Sequence, residues 1–220
     1  MTYEDICFER CSFDGADLSR TVVLGGAVTD STMVRTVLRD VLVAGARWER
    51  VDLTGAKLPH FAAERTLFRD VTFPALSRVE FTGCTFEGCR FTGRLRDVRF
   101  LGRVHPSVLR NVTFLSDDFK YAEFDGTEFD GVRFPEGDAL IVVPRAFRAV
   151  AELAGRLSTE RRDEVGRALR RFLSEQSLRP GLSDTAGWVA GRRDFESEEL
   201  AGFAARMIGA AWEQVSSSSL

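Results

Sequence analysis

Ala122-Glu123-Phe124-Asp125-Gly126 is followed at once by Thr127-Glu128-Phe129-Asp130-Gly131, one five-residue unit written twice. The same spacing runs outward from this stretch in both directions. Thirteen of the eighteen Phe fall on it: Phe8, Phe13, Phe68, Phe73, Phe81, Phe86, Phe91, Phe100, Phe114, Phe119, Phe124, Phe129 and Phe134. Between Phe13 and Phe68 the grid is held by residues such as Leu18, Val28, Met33, Leu38, Trp48 and Leu58. A period of five fits neither the 3.6 of a helix nor the 2.0 of a strand, so the stripe faces one core only if the chain turns in a fixed way at every unit.

Two residues before each centre lies a second apolar position, mostly small: Cys11, Ala16, Thr21, Gly26, Ser31, Thr36, then Cys84, Cys89 and Ala122. Large centres beside small neighbours suit stacked layers of a narrow, filled core. Where the small position becomes Phe61, the next centre shrinks to Ala63. The remaining positions are charged, hydroxylated or Gly, as expected for an outer wall with tight corners. Asp117 is the exception, an acid in the small slot before Phe119. A buried carboxylate is costly, so Asp117 is expected either to accept backbone hydrogen bonds or to break the register and point to solvent.

Ala16-Asp17-Leu18-Ser19-Arg20 and Val51-Asp52-Leu53-Thr54-Gly55 carry a resemblance to the pentapeptide-repeat family, sustained over residues 4 to 136. The resemblance implies a mainly β fold, a right-handed quadrilateral β-helix with four units per coil and nearly six coils, about 28 Å long at strand-stacking distance. The domain division expected is 1–138 for the β-helix, 139–215 for a helical domain and 216–220 for a flexible tail.

The register breaks at Phe73 to Phe81, Phe91 to Phe100 and Phe100 to Phe114, leaving excesses of three, four and nine residues over a normal step. Such breaks read as loops leaving the rod. The longest reads either as a protrusion or as one degenerate unit within Val104 to Leu109.

After Pro135 the period becomes helical. Phe147, Val150, Ala151, Ala154 and Leu157 predict one helix, Val165, Ala168, Leu169, Phe172 and Leu173 a second, and Leu200, Phe203, Ala204, Met207, Ile208, Ala211 and Trp212 a third. Ser158-Thr159 is read as the N-cap of the second and Ser197 as the start of the third, with a break at Pro180-Gly181 and a short helix around Thr185 to Arg192. This small bundle is expected to cap the rod, to dimerise through its helices or to bind a partner.

With 30 basic and 33 acidic residues, the 220-residue chain carries a net charge of −3. No apolar run reaches membrane-spanning length and the first residues lack a signal-peptide pattern, so a cytoplasmic protein without a membrane partner is expected. Cys11, Cys84 and Cys89 occupy inward slots and read as packed thiols; with Cys7 they form no zinc-spaced set. No phosphate loop or nucleophile motif is present, and His60 and His105 read as solvent-exposed. A filled rod offers no pocket, so neither enzyme activity nor a cofactor is expected. The one enzymatic alternative is a site between rod and helical domain, using Asp117, Asp118 or His105.

Charge is zoned along the rod. Residues 87 to 113 carry six Arg against two acids, net +4, and residues 114 to 138 carry eight acids against two bases, net −6. The candidate partner-binding residues are therefore Arg94, Arg96, Arg99, Arg103 and His105 on one side and Asp117, Asp118, Glu123, Asp125, Glu128 and Asp130 on the other. Two readings stand: the zones neutralise each other, or the acidic wall meets a basic partner. Pentapeptide-repeat proteins of the Qnr and MfpA types mimic duplex DNA, bind DNA gyrase or topoisomerase IV in quinolone or toxin resistance, and dimerise at their C-terminal ends. A net charge of −4 over residues 1–138 is weak for such a mimic. The expectation is a non-enzymatic protein-binding scaffold acting through the outer faces of the rod, with gyrase or topoisomerase IV as the alternative partner and no direct nucleic-acid binding.

Overall fold

A computed structural model describes residues 1–102, 104–178 and 185–217. The five-residue unit produces a right-handed quadrilateral β-helix. Two of its faces are seven-stranded parallel sheets and a third carries a three-stranded sheet. The fourth is joined through isolated parallel bridges such as Asp17 to Val37 and Val37 to Lys57. Seven strands span six turns. At the corners the backbone enters the left-handed region every fifth residue, and Arg10, Arg20, Asp30, Arg35, Asp40 and Arg50 adopt it as readily as Gly15, Gly25 and Gly45. For a non-Gly residue that conformation costs roughly 1–2 kcal/mol. Ladder bonds at the same corners oppose it, as where Arg10 N–H donates to Thr29 C=O at 3.0 Å and Arg35 N–H to Thr54 C=O at 2.9 Å.

Coil length accounts for the three breaks. Thr2 pairs with Val22, Val22 with Leu42 and Leu42 with Ala62, twenty residues per coil. Ala62 then pairs with Glu80, Glu80 with Arg99 and Arg99 with Glu123, giving coils of eighteen, nineteen and twenty-four. The breaks are therefore not loops of three, four and nine residues. Each hides one further unit, centred on Leu76, Leu95 and Leu109, all buried. The first two coils are shortened by two residues and one. The last is lengthened by four, and Val104, His105 and Pro106 stand exposed at that bulge, so protrusion and degenerate unit are both present.

Where the centres are Phe, coil stacking at strand spacing stacks the rings as well. Phe73, Phe91, Phe114 and Phe134 form one column with centroid separations of 4.7, 4.8 and 5.1 Å, and Phe81, Phe100 and Phe124 form another at 5.2 and 4.8 Å. Phe61 is buried beside the equally buried Ala63, the volume exchange read in the sequence. Cys84 and Cys89 are buried in the small slots, where their thiols donate to the carbonyls of Ala63 and Phe68 at 3.3 Å. Burial pushes both thiols up to about 12. Cys11 is half-buried and Cys7 exposed.

A small plate seals the C-terminal end of the rod. Leu140–Val143 pairs antiparallel with Trp188–Gly191. Because side chains alternate along a strand, Leu140, Val142 and Val189 pack on the rod core, while Ile141, Val143, Trp188 and Ala190 pack on the helices. This corrects the short helix expected at Thr185 to Arg192, where β-branched and aromatic residues pair instead of coiling. The helices are α1 (Phe147–Leu157), α2 (Glu164–Ser177) and α3 (Glu198–Ser217). Asp163, not Ser158-Thr159, caps α2 by accepting from Gly166 N–H at 3.0 Å; Ser158 and Thr159 lie in a 3-10 turn. Ser197 caps α3, accepting from Leu200 N–H at 3.1 Å. α3 continues through Ser216 and Ser217, two residues into the stretch expected to be a tail. The Pro180-Gly181 break lies outside the described residues.

Candidate partner-binding surface

Each coil places its outward side chains one strand spacing from those of the next, so charges separated by about twenty residues in sequence become neighbours. On the second face the residue after each centre reads Glu49, Arg69, Glu87, Arg110 and Asp130, an alternating column. Arg69 reaches Glu49 at 3.1 Å and Glu87 at 2.7 Å, and Arg110 reaches Glu87 at 3.4 Å. Hydrogen bonds from the Arg69 guanidinium hold the Glu87 carboxyl below its usual range, and Glu87 in turn raises Arg69.

The basic and acidic zones meet in the same way. Arg96 lies 3.2 Å from Asp118, and Arg99 lies 3.6 Å from Glu80 and 3.9 Å from Glu123. Asp118 also receives Arg193 of the cap at 3.3 Å. Four of the six candidate acids are withdrawn from solvent at least in part, Asp118 and Glu123 being half-buried. Asp125 is buried, and Glu128 is half-buried, accepting from Thr185 Oγ1 at 2.8 Å where the cap bridges Glu128 to Ala186. Of the two readings of the acidic zone, a wholly exposed wall does not describe this end, because the cap adds to the last coil on that side. Asp117 and Asp130 are exposed, as are Arg94, Arg99 and His105, whereas Glu123 and Arg96 are half-buried. Arg103 lies outside the described residues. Asp117 leaves its inward slot and is exposed, so its carboxylate avoids burial, while its carbonyl accepts from Phe119 N–H at 2.9 Å.

Asp117, Asp118 and His105 do not converge on a cleft. The crevice at the junction of rod and cap, about 180 Å³, is walled by Tyr121, Glu123, Asp125, Phe172, Trp188 and Asp194 instead. The sequence points to this junction but to other residues, because Trp188 lies in a segment read there as a helix and Asp194 lies just beyond it. Among the described residues no three His, Cys, Asp or Glu come together to hold a metal ion. No helix among them is long and apolar enough to cross a membrane.

No family model matches the sequence, and no curated protein matches it. Solved structures do. The chain is similar to QnrB1, a plasmid-mediated fluoroquinolone resistance protein, at 18% identity and a TM-score of 0.33, over 61% of this chain and 82% of that one. It is similar to HetL, a pentapeptide-repeat protein involved in heterocyst differentiation regulation from the cyanobacterium Nostoc sp. strain PCC 7120, at 17% identity and a TM-score of 0.22, over 60% and 84%. Rfr23, a pentapeptide-repeat protein from the cyanobacterium Cyanothece 51142, aligns at 13% identity and a TM-score of 0.18, over 61% and 84%. Likenesses at these identities and TM-scores carry no argument, and it is the chain's own five-residue unit, its four faces and its parallel coils that make it a quadrilateral β-helix of the pentapeptide-repeat kind.

Proposed function

We propose that this protein is a non-enzymatic protein-binding scaffold whose ligand-facing surface is the outer wall of the rod. The observation that carries the reading is the ordered charge lattice on that wall, fixed by coil stacking over a core filled with ring columns. A rigid lattice binds without ordering its own side chains, which lowers the cost of association. Exposed members of both signs, Arg94 and Arg99 beside Asp117 and Asp130, favour a partner with mixed charge over a uniformly basic one.

The topoisomerase reading draws on the family resemblance and on the acidic zone. It has less support, since Asp125 is buried, Glu128 is covered and Asp118 faces two arginines. Dimerisation through the helices has less support, since α3 turns Leu200, Ala201, Phe203, Ala204, Ile208 and Ala211 into the chain's own core.

Capture of partners from native lysate on the immobilised full chain tests the scaffold reading. Arg94→Glu combined with Asp130→Lys should remove the captured protein while the melting temperature stays within about 2 °C, the range expected of surface changes. Unchanged capture would reject the outer wall as the binding surface. A gyrase supercoiling assay with the same two proteins separates the alternatives: inhibition by the parent chain that is lost in the double variant would favour the topoisomerase.

A further inference from the structure

The two ends of the rod differ in one respect. At the C-terminal end the last coil is covered by an extended segment of the chain itself. Ala186 bridges antiparallel to Glu128, and Gly187 N–H donates to Thr127 C=O at 2.8 Å. Val189 enters the rod core, and Arg192 and Arg193 then reach Asp138 at 2.8 Å and Asp118 at 3.3 Å. The cover thus has three parts: backbone on an open strand edge, an apolar side chain over the core, and cations on nearby acids.

The N-terminal end presents all three receptors with no such cover among the described residues. Thr2–Glu4 and Cys7–Glu9 are the outermost strands of the two seven-stranded sheets. The ladder to the next coil uses Met1 C=O, bonded to Val22 N–H at 2.9 Å, and Asp5 N–H, bonded to Leu24 C=O at 2.8 Å. Alternation along the strand turns the backbone groups of Thr2 and Glu4 to the open side. Tyr3, Phe8, Phe13 and Leu18, the centres of the first coil, are only half-buried, and with Val23 and Trp48 they help to wall an apolar cavity of about 70 Å³. Trp48 is buried, and its indole N–H finds no acceptor among the described residues. Around this opening Glu4, Asp5, Glu9, Asp14 and Asp17 are exposed, against Arg10 and Arg20.

We infer that the N-terminal end of the rod is a docking site for an extended segment of a partner protein, apolar at alternate positions and followed by Arg or Lys. The segment adds as a strand to the Thr2–Glu4 or Cys7–Glu9 edge, seats an apolar side chain over the cavity and sets its cations on the acidic rim. A second copy of this chain is disfavoured as occupant, because end-to-end contact would oppose two rims of the same negative sign. The inference rests on the reading of the protein as a protein binder, but uses the end of the rod and not its wall.

The probe is a labelled synthetic peptide with the sequence of residues 185–194, the segment that covers the other end, added to the intact chain. Saturable binding is expected, with slowed amide exchange confined to residues 2–9 and their neighbours in the second coil. Glu4→Lys with Glu9→Lys should weaken binding at least tenfold without lowering the melting temperature. Absence of binding at millimolar peptide, binding indifferent to the charge reversal, or protection only elsewhere would each overturn the site. Sedimentation as a dimer with residues 2–9 protected before peptide is added would overturn it in favour of a second copy. Loss of the peptide site with lysate capture intact would leave the scaffold reading standing.

Discussion

The first three coils and the last three solve the same packing problem in opposite ways. From Tyr3 to Ala63 every coil is twenty residues long, yet the centres are mostly Val, Leu and Met, and the cavity lies here. From Phe68 onward coil length varies, yet Phe columns fill the core and every centre but Phe129 and Phe134 is buried. Backbone regularity and core density are thus independent in this rod. The ladder tolerates a missing or extra residue at a corner, because each coil needs only its strands in register; missing volume in the core instead costs stability in proportion to the space left.

The sharpest way to break that comparison is truncation at matched positions of one face. Phe86→Ala, in the dense half, should cost about 3–5 kcal/mol in denaturant unfolding. Val28→Ala, in the loose half, removes two methyl groups beside existing space and should cost about 1–2 kcal/mol. Equal losses would mean that the two halves are packed alike.

Next in size is a pair of glycines. Gly102 and Gly126 press their backbones together where the long coil bulges, and a Cβ on Gly102 would collide with the Gly126 carbonyl. Gly15, at a regular corner with φ of 70°, has nothing within 4 Å of such a Cβ. Gly102→Ala should lower the unfolding midpoint by the equivalent of about 2–3 kcal/mol, the upper range for a single change. Gly15→Ala should cost about 1 kcal/mol from backbone strain alone. The reverse order would place the strain of the rod in its regular corners and not in its bulge.

The smallest effect is electrostatic and belongs to the column on the second face. Glu87 has its folded pKa depressed by Arg69, so its contribution is present above the unfolded carboxylate pKa of about 4.3 and is lost as pH falls through the lower folded value. Glu87→Gln should therefore lower stability slightly at pH 7 and flatten the acid limb of the stability profile below about pH 4. The difference should shrink in 1 M salt, since the pair is partly exposed. An unchanged acid limb would mean that the column is ornamental to stability.

Much of the rod could be read directly. Phe124 and Phe129 announce the period, and Phe61 beside Ala63 shows that the slots share one volume. The units at Leu76 and Leu95 are hidden from a fixed five-residue step, and the one at Leu109 shows only as an alternative, because the ladder fixes only where a strand meets its neighbour one coil away. The cap plate escaped for a different reason. Leu140-Ile141-Val142-Val143 carries a β-branched strand signal, but its partner Trp188–Gly191 lies more than forty residues on, and no local pattern names a partner. The acidic zone was located correctly along the chain, but not its exposure at Asp125 and Glu128, which depends on what the cap lays against the last coil.

The sequence by itself determined the five-residue turn, the inward and outward assignment of its positions and the change to helical period after Pro135. Those are properties of a residue and its near neighbours, set by side-chain volume, polarity and backbone geometry. Only the tertiary structure decided that the charges pair in columns, that the last coil is sealed by a strand pair and that, among the described residues, no such cover lies over the first coil. Each of these depends on groups twenty or more residues apart arriving at one strand spacing, and that distance is created by coiling and is written in no local stretch of the chain.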